Sequence, residues 1–212
     1  MKGDSTFDAY YASQVPALTS RAKTEKLSQL ALNALFDQIG PAFLITHSQG
    51  GSHGWLVADS RPGPIRGLIA IEPEGPPFVN EVIRATNDIA RPYGLTINPI
   101  AYDPPVNDPV ELNTVTVQSS DSNLSKCVLQ IDPSRRLTNI SGVPIMLVTS
   151  EAGYHAVYDY CTVEYLRQAG CSVEWLDLPT AGIHGNGHFM FMEKNNLEIA
   201  GRIESWIQSK SS

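Results

Sequence analysis

The chain has 212 residues, 42% of them hydrophobic and 17% charged, with 15 Lys and Arg against 22 Asp and Glu for a formal net charge of −7. That is long enough for one domain with its own core and too apolar for a disordered tail. The acidic balance argues against a nucleic-acid partner or an anionic membrane surface, and no apolar run nears the ~20 residues of a membrane helix.

The first residues, Met1-Lys-Gly-Asp-Ser-Thr6, lack the apolar stretch of a secretory leader. From about Thr24 to Ile39, Leu27, Leu30, Ala31, Ala34, Leu35 and Ile39 recur at helical spacing, and Gly40 offers a stop. Pro41 to Thr46 is a short apolar run of the kind a strand buried on both faces shows, and Ser52 to Ala58 reads as a helix. Pro64 to Ile71 is a second buried strand. Pro73, Pro76, Pro77, Pro92, Pro99, Pro104, Pro105 and Pro109 are eight of the fifteen prolines. Such density predicts a loop-rich lid segment over 72–110, crossed by one helix near Asn80–Ala90. Val143–Thr149 is a third strand, Tyr158–Ala169 an amphipathic helix, and Ser172–Asp177 a fourth strand. The last helix is expected to carry Phe189, Met192, Ile199, Ile203 and Trp206 on one face. Cys127, Cys161 and Cys171 form an odd set without a C-x-x-C pair, which predicts free thiols and a cytoplasmic location.

The alternation describes a single α/β domain over 1–212 with a mainly parallel sheet, in which ligands bind beyond the carboxyl ends of the strands. At the first such end stands Thr46-His-Ser-Gln-Gly-Gly51. A serine on a sharp strand-to-helix turn, with glycine two places later, is a nucleophile elbow: Ser48 Oγ projects clear of the sheet and the Gln49 N–H faces a developing oxyanion. Thr46 stands where the usual pattern has its first glycine.

A serine hydroxyl needs a base. His47 and His53 flank the serine and would point sideways, and His155 reads as a polar residue opening a helix. Gly182-Ile-His-Gly-Asn-Gly-His188 is a glycine-rich loop free to reach Ser48, so His188 is the candidate base ahead of His184. The glycines between these two histidines break the helix that i, i+4 metal ligation requires, so neither a metal nor a cofactor is expected. The orienting acid is Glu72, before a proline-locked turn, or Glu151, after the third strand; both keep the order Ser, acid, His.

On these residues the chain resembles the α/β-hydrolase superfamily. More narrowly, it is similar to a fungal and bacterial esterase-like group with a T-H-S-Q-(S/G)-G elbow, an I-E-P-x-G-P-P-F strand end and a G-I-H-G-N-G-H loop, here Thr46–Gly51, Ile71–Phe78 and Gly182–His188. The resemblance implies Glu72 as the acid and a serine hydrolase acting on a carboxylic ester, thioester or lactone. It also implies a setting in fungal secondary metabolism, including toxin biosynthesis. A full member carries four strands before the nucleophile strand and an H-G segment that supplies a second oxyanion donor. The 41 residues ahead of Ala42 cannot hold four strands with their crossovers. A shortened sheet with an exposed apolar edge strand at 43–46 is therefore expected, an edge that either pairs with a second copy or receives a strand from residues 1–20. An alternative is a catalytically impaired remnant acting in binding or assembly. The lid aromatics Phe78, Tyr93 and Tyr102 hint at an apolar or aromatic substrate.

Overall fold

The computed structural model describes residues 2–81 and 88–211. In chain order it has helices α1 (Ser5–Ala12) and α2 (Arg21–Ile39), strand β1 (Ala42–Ser48), helix α3 (Gly50–Ser60) and strand β2 (Ile65–Pro73). Short strands β3 (Tyr102–Asp103), β4 (Thr114–Val117), β5 (Cys127–Gln130) and β6 (Arg136–Leu137) follow. Then come β7 (Ile145–Thr149), α4 (Asp159–Gln168), β8 (Val173–Asp177) and α5 (Asn196–Lys210). The sheet that matters is β1-β2-β7-β8, parallel throughout, with β1 at one edge. The helix expected near Asn80–Ala90 falls mainly on 82–87, outside the described residues.

The apolar runs are buried because the sheet is covered on both faces. On one face Trp55, Leu56 and Val57 of α3 and Val163, Tyr165 and Leu166 of α4 pack against Leu68, Ala70, Ile145 and Leu147. On the other, Ile199, Ile203 and Trp206 of α5 meet Ile69, Ile71, Met146 and Val148. Helix and strand touch most closely at the elbow. A Cβ on Gly51 would lie 2.8 Å from Pro73 Cα, and one on Gly54 2.8 Å from Thr46 Cγ2.

Four expectations are corrected. The α2 stripe does not form the buried face: Leu27, Leu30, Leu35 and Ile39 are exposed, and Glu25, Gln29 and Phe36 are buried. The reason is polar. Glu25 accepts from the Ile97 and Asn98 N–H groups and from Asn98 Nδ2, while Gln29 Nε2 donates to the Leu56 carbonyl. These bonds select the face that turns inward. Phe189 and Met192 do not join the last helix; they are exposed on the turn before α5. Phe78, Tyr93 and Tyr102 belong to the core cluster rather than to a pocket, with Tyr102 Oη 2.6 Å from Tyr165 Oη. Finally, Cys127 and Cys161 are not free thiols. They form a disulfide that ties β5 to α4, leaving Cys171 free and buried.

Candidate active site

The site is assembled where the carboxyl ends of β1, β2 and β7 meet the loop after β8. Ser48 closes β1 with φ of 54°, a left-handed backbone that a non-glycine residue rarely takes, and α3 begins two residues later. Its Oγ lies 3.0 Å from His188 Nε2. His188 Nδ1 lies 2.6 Å from Glu72 Oε2. Glu72, fully buried near the end of β2, is also left-handed with φ of 40°. Its other oxygen accepts from the Ser150 N–H at 2.9 Å and from the Ser150 hydroxyl. Ser48, His188 and Glu72 thus lie on one hydrogen-bonded line, from a hydroxyl through both ring nitrogens to a dry carboxylate.

Glu151 goes elsewhere. It accepts from His184 Nδ1 at 3.0 Å and from the Gly185 N–H at 2.7 Å, bonds that hold its carboxyl below the usual range. Its work is to anchor the glycine-rich loop, and the Ala152 N–H donates to the Asn186 carbonyl beside it. His47 also lies close, but not as a base: its Nε2 is 2.9 Å from the His188 carbonyl and its ring packs 4.4 Å from the His188 ring. Burial lowers its pKa, which keeps it a neutral N–H donor. His53 is likewise lowered by burial and sits on α3, on the side of Glu25 and Arg21.

The segment after β7 contributes groups that sequence reasoning missed. Tyr154 places its hydroxyl 3.5 Å from His188 Nε2, the nitrogen that faces Ser48 Oγ. His155 lies flat against His188, with ring centroids 4.9 Å apart and planes 4° from parallel. Its Nδ1 is 2.9 Å from Asp159 Oδ1, and Thr149 Oγ1 donates to the other oxygen at 3.0 Å. Asp159 is completely buried, and desolvation pushes its carboxyl up to about 6. One signal was available: Tyr154 and His155 follow the same strand end that drew attention to Glu151.

A cavity of about 390 Å³ opens on Ser48 and Gln49. Tyr154, His155 and Tyr158 line one side, and Glu74, Gly75, Asn80 and Glu81 another. Ala17, Leu18 and Arg21 complete it from the chain ahead of α2 and its first residue. Arg21 pairs with Glu74, and buried Arg91 bonds Asn80 Oδ1 at 3.1 Å and lies 3.4 Å from Glu74. Glu72, His155 and His188 bring one potential ligand atom each within 4.8 Å of one another. Glu72 Oε2 and His188 Nδ1 are bonded to each other, so this cluster is explained by proton-holding rather than by cation binding.

No protein-family model matches the chain. A protein named probable secreted lipase phiG, from a fungal species, is 47% identical over 209 residues, which is 98% of this chain and 57% of that relative. The chain therefore spans little more than half the length of this curated relative. Among solved structures, a bacterial esterase determined at atomic resolution superposes with a TM-score of 0.52 at 17% identity, over 87% of this chain and 43% of its own. A monoacylglycerol lipase of Paleococcus ferrophilus gives a TM-score of 0.48 at 16% identity, over 88% and 76%. With its parallel sheet and the likeness to the bacterial esterase, the chain has the α/β-hydrolase fold.

Proposed function

We propose that the chain is a serine hydrolase of carboxylic esters, with thioesters and lactones within the same chemistry. The observation that carries this reading is the unbroken bond line Ser48–His188–Glu72 beginning at a left-handed serine. Ser48 gives its proton to His188 Nε2 as Oγ attacks the acyl carbon, and Glu72 stabilises the imidazolium through Nδ1–H. The backbone N–H of Gln49, ahead of α3, faces the oxyanion and is helped by the positive end of that helix. The leaving alcohol takes the proton from Nε2, and water then repeats the sequence on the acyl-enzyme. The printed name of the fungal relative, a lipase, supports the ester bond as the target. The shared motifs support a setting in fungal secondary metabolism.

The beginning of the 72–110 segment, Glu74–Gly75 and Asn80–Glu81, walls the cavity, while its aromatics serve the core. The substrate accordingly meets a mixed wall, with Glu74, Asn80 and Glu81 on one side and the rings of Tyr154, His155 and Tyr158 on another. The Cys127–Cys161 pair favours an oxidising compartment over the cytoplasmic expectation, in keeping with the word secreted in the relative's name.

A fluorophosphonate probe should label the wild type at Ser48 and fail to label Ser48→Ala. A folded wild type that is neither labelled nor able to hydrolyse p-nitrophenyl butanoate refutes the reading. A second reading, assembly through the sheet edge, is favoured by Ile45, which is 53% exposed on β1. Light scattering separates the two: a dimer that dissociates in Ile45→Lys supports pairing of copies at that edge.

A further inference from the structure

Two groups converge beside Ser48 Oγ. His188 Nε2 is 3.0 Å from Ser48 Oγ, and Tyr154 Oη is 3.5 Å from that same nitrogen. Any ester held for attack must set its departing oxygen near Nε2, because that nitrogen is where the proton returns. Tyr154 Oη already stands there, in the wall of the cavity that exposes Ser48 and Gln49. Its ring is fixed between neighbours, 4.4 Å from the His155 ring, 4.9 Å from that of His188 and 6.3 Å from that of Tyr158. Half-buried and desolvated, the phenol is held above its ordinary pKa, so it keeps its proton and acts as a donor.

We propose that Tyr154 is a catalytic hydrogen-bond donor to the leaving-group oxygen during acylation, resting on the serine-hydrolase reading above. The acyl C–OR bond breaks, its electron pair stays on the OR oxygen, and that oxygen takes the Nε2 proton. The C=O double bond re-forms from the oxyanion pair. Tyr154 retains its own proton throughout and stabilises the charge that builds on OR before proton transfer is complete. Gln49 N–H serves the carbonyl oxygen, and Tyr154 serves the other oxygen of the same tetrahedral centre. The division matters most for poor leaving groups. A nitrophenolate leaves without help, whereas an alkoxide does not.

The test uses ethyl, trifluoroethyl and p-nitrophenyl butanoates, which share an acyl-enzyme, so that kcat/KM reports acylation alone. In Tyr154→Phe, kcat/KM should fall about 10²-fold for the ethyl ester and less than about 5-fold for the p-nitrophenyl ester, with trifluoroethyl between them. Fluorophosphonate labelling of Ser48, whose leaving group is fluoride, should change by less than about 5-fold. Tyr154→Leu, which removes ring and hydroxyl together, should show the same dependence on leaving group. A uniform fall across the three esters, matched by slower labelling, assigns Tyr154 to packing and overturns the proposal. Equal rates for wild type and Tyr154→Phe on all three overturn it as well, while leaving the serine-hydrolase reading standing. A wild type inert to all three and unlabelled removes both.

Discussion

Ser48 ends β1 and Glu72 stands one residue before the end of the neighbouring parallel β2, and both take left-handed backbone, with φ of 54° and 40°. Such conformations cost on the order of 1–3 kcal/mol each and persist where the surroundings over-determine them. Here the surroundings are visible. The Glu74 N–H donates to the Ser48 carbonyl at 2.8 Å, and Gly51 lets α3 close onto Pro73. The two turns are locked to each other, and the lock aims a hydroxyl and a carboxylate at opposite nitrogens of one imidazole.

The roles of the two candidate acids follow from this geometry. Glu72→Gln keeps the shape but loses the charge beside Nδ1, and ester hydrolysis should fall by roughly 10²–10⁴-fold with the fold intact. Glu151→Gln, on the exposed loop pair with His184, should change turnover by less than about 5-fold. Steady-state kinetics on both variants decides between them; equal losses would remove Glu72 from the role proposed for it.

Gly153 is where the support of Glu72 can be probed without touching a charged group. A Cβ there would stand 2.6 Å from Glu72 Oε1 and press on the Ser150 hydroxyl that bonds the same oxygen. Gly153→Ala should destabilise by about 1–3 kcal/mol, a drop of roughly 2–12 °C in Tm for a chain of this size. It should also lower kcat with little change in KM, because the carboxylate is displaced and the cavity is not.

Much of this was legible in the residues. The parallel sheet announced itself through short apolar runs, and the elbow, the Pro-locked acid and the glycine-rich histidine loop each sit at a strand end where chemistry collects. What stayed hidden has a common cause. The inward face of α2 is chosen by Glu25 and Gln29 bonding to distant backbone, which periodicity counts as outward-facing residues. Tyr154 and His155 come to His188 only through the fold of the segment after β7. The Cys127–Cys161 pairing, 34 residues apart, needs β5 against α4 and leaves no local spacing signal.

That disulfide closes a loop long enough to matter. With a sequence separation of 34, loop-closure entropy gives about 3–4 kcal/mol. The double variant Cys127→Ala/Cys161→Ala should therefore melt roughly 6–16 °C lower. A thiol assay on denatured, unreduced protein should find one thiol, Cys171, and three after reduction. Three thiols before reduction would contradict the pairing.

Asp159 is buried, and desolvation raises its carboxyl from 3.8 to about 6 despite bonds from His155 and Thr149. Between those values the folded chain holds a proton that the unfolded chain has released. Its contribution to stability is fully present below about pH 4 and is lost as the pH climbs to about 6. Carboxylates held low act in the opposite sense, so the clean measurement is a difference. Asp159→Asn keeps the shape and one of the two acceptor oxygens and cannot titrate; relative to it, the wild type should lose stability steadily from about pH 4 to about pH 6 and run parallel above. Parallel curves across the whole range would mean that Asp159 ionises in the fold as readily as in water.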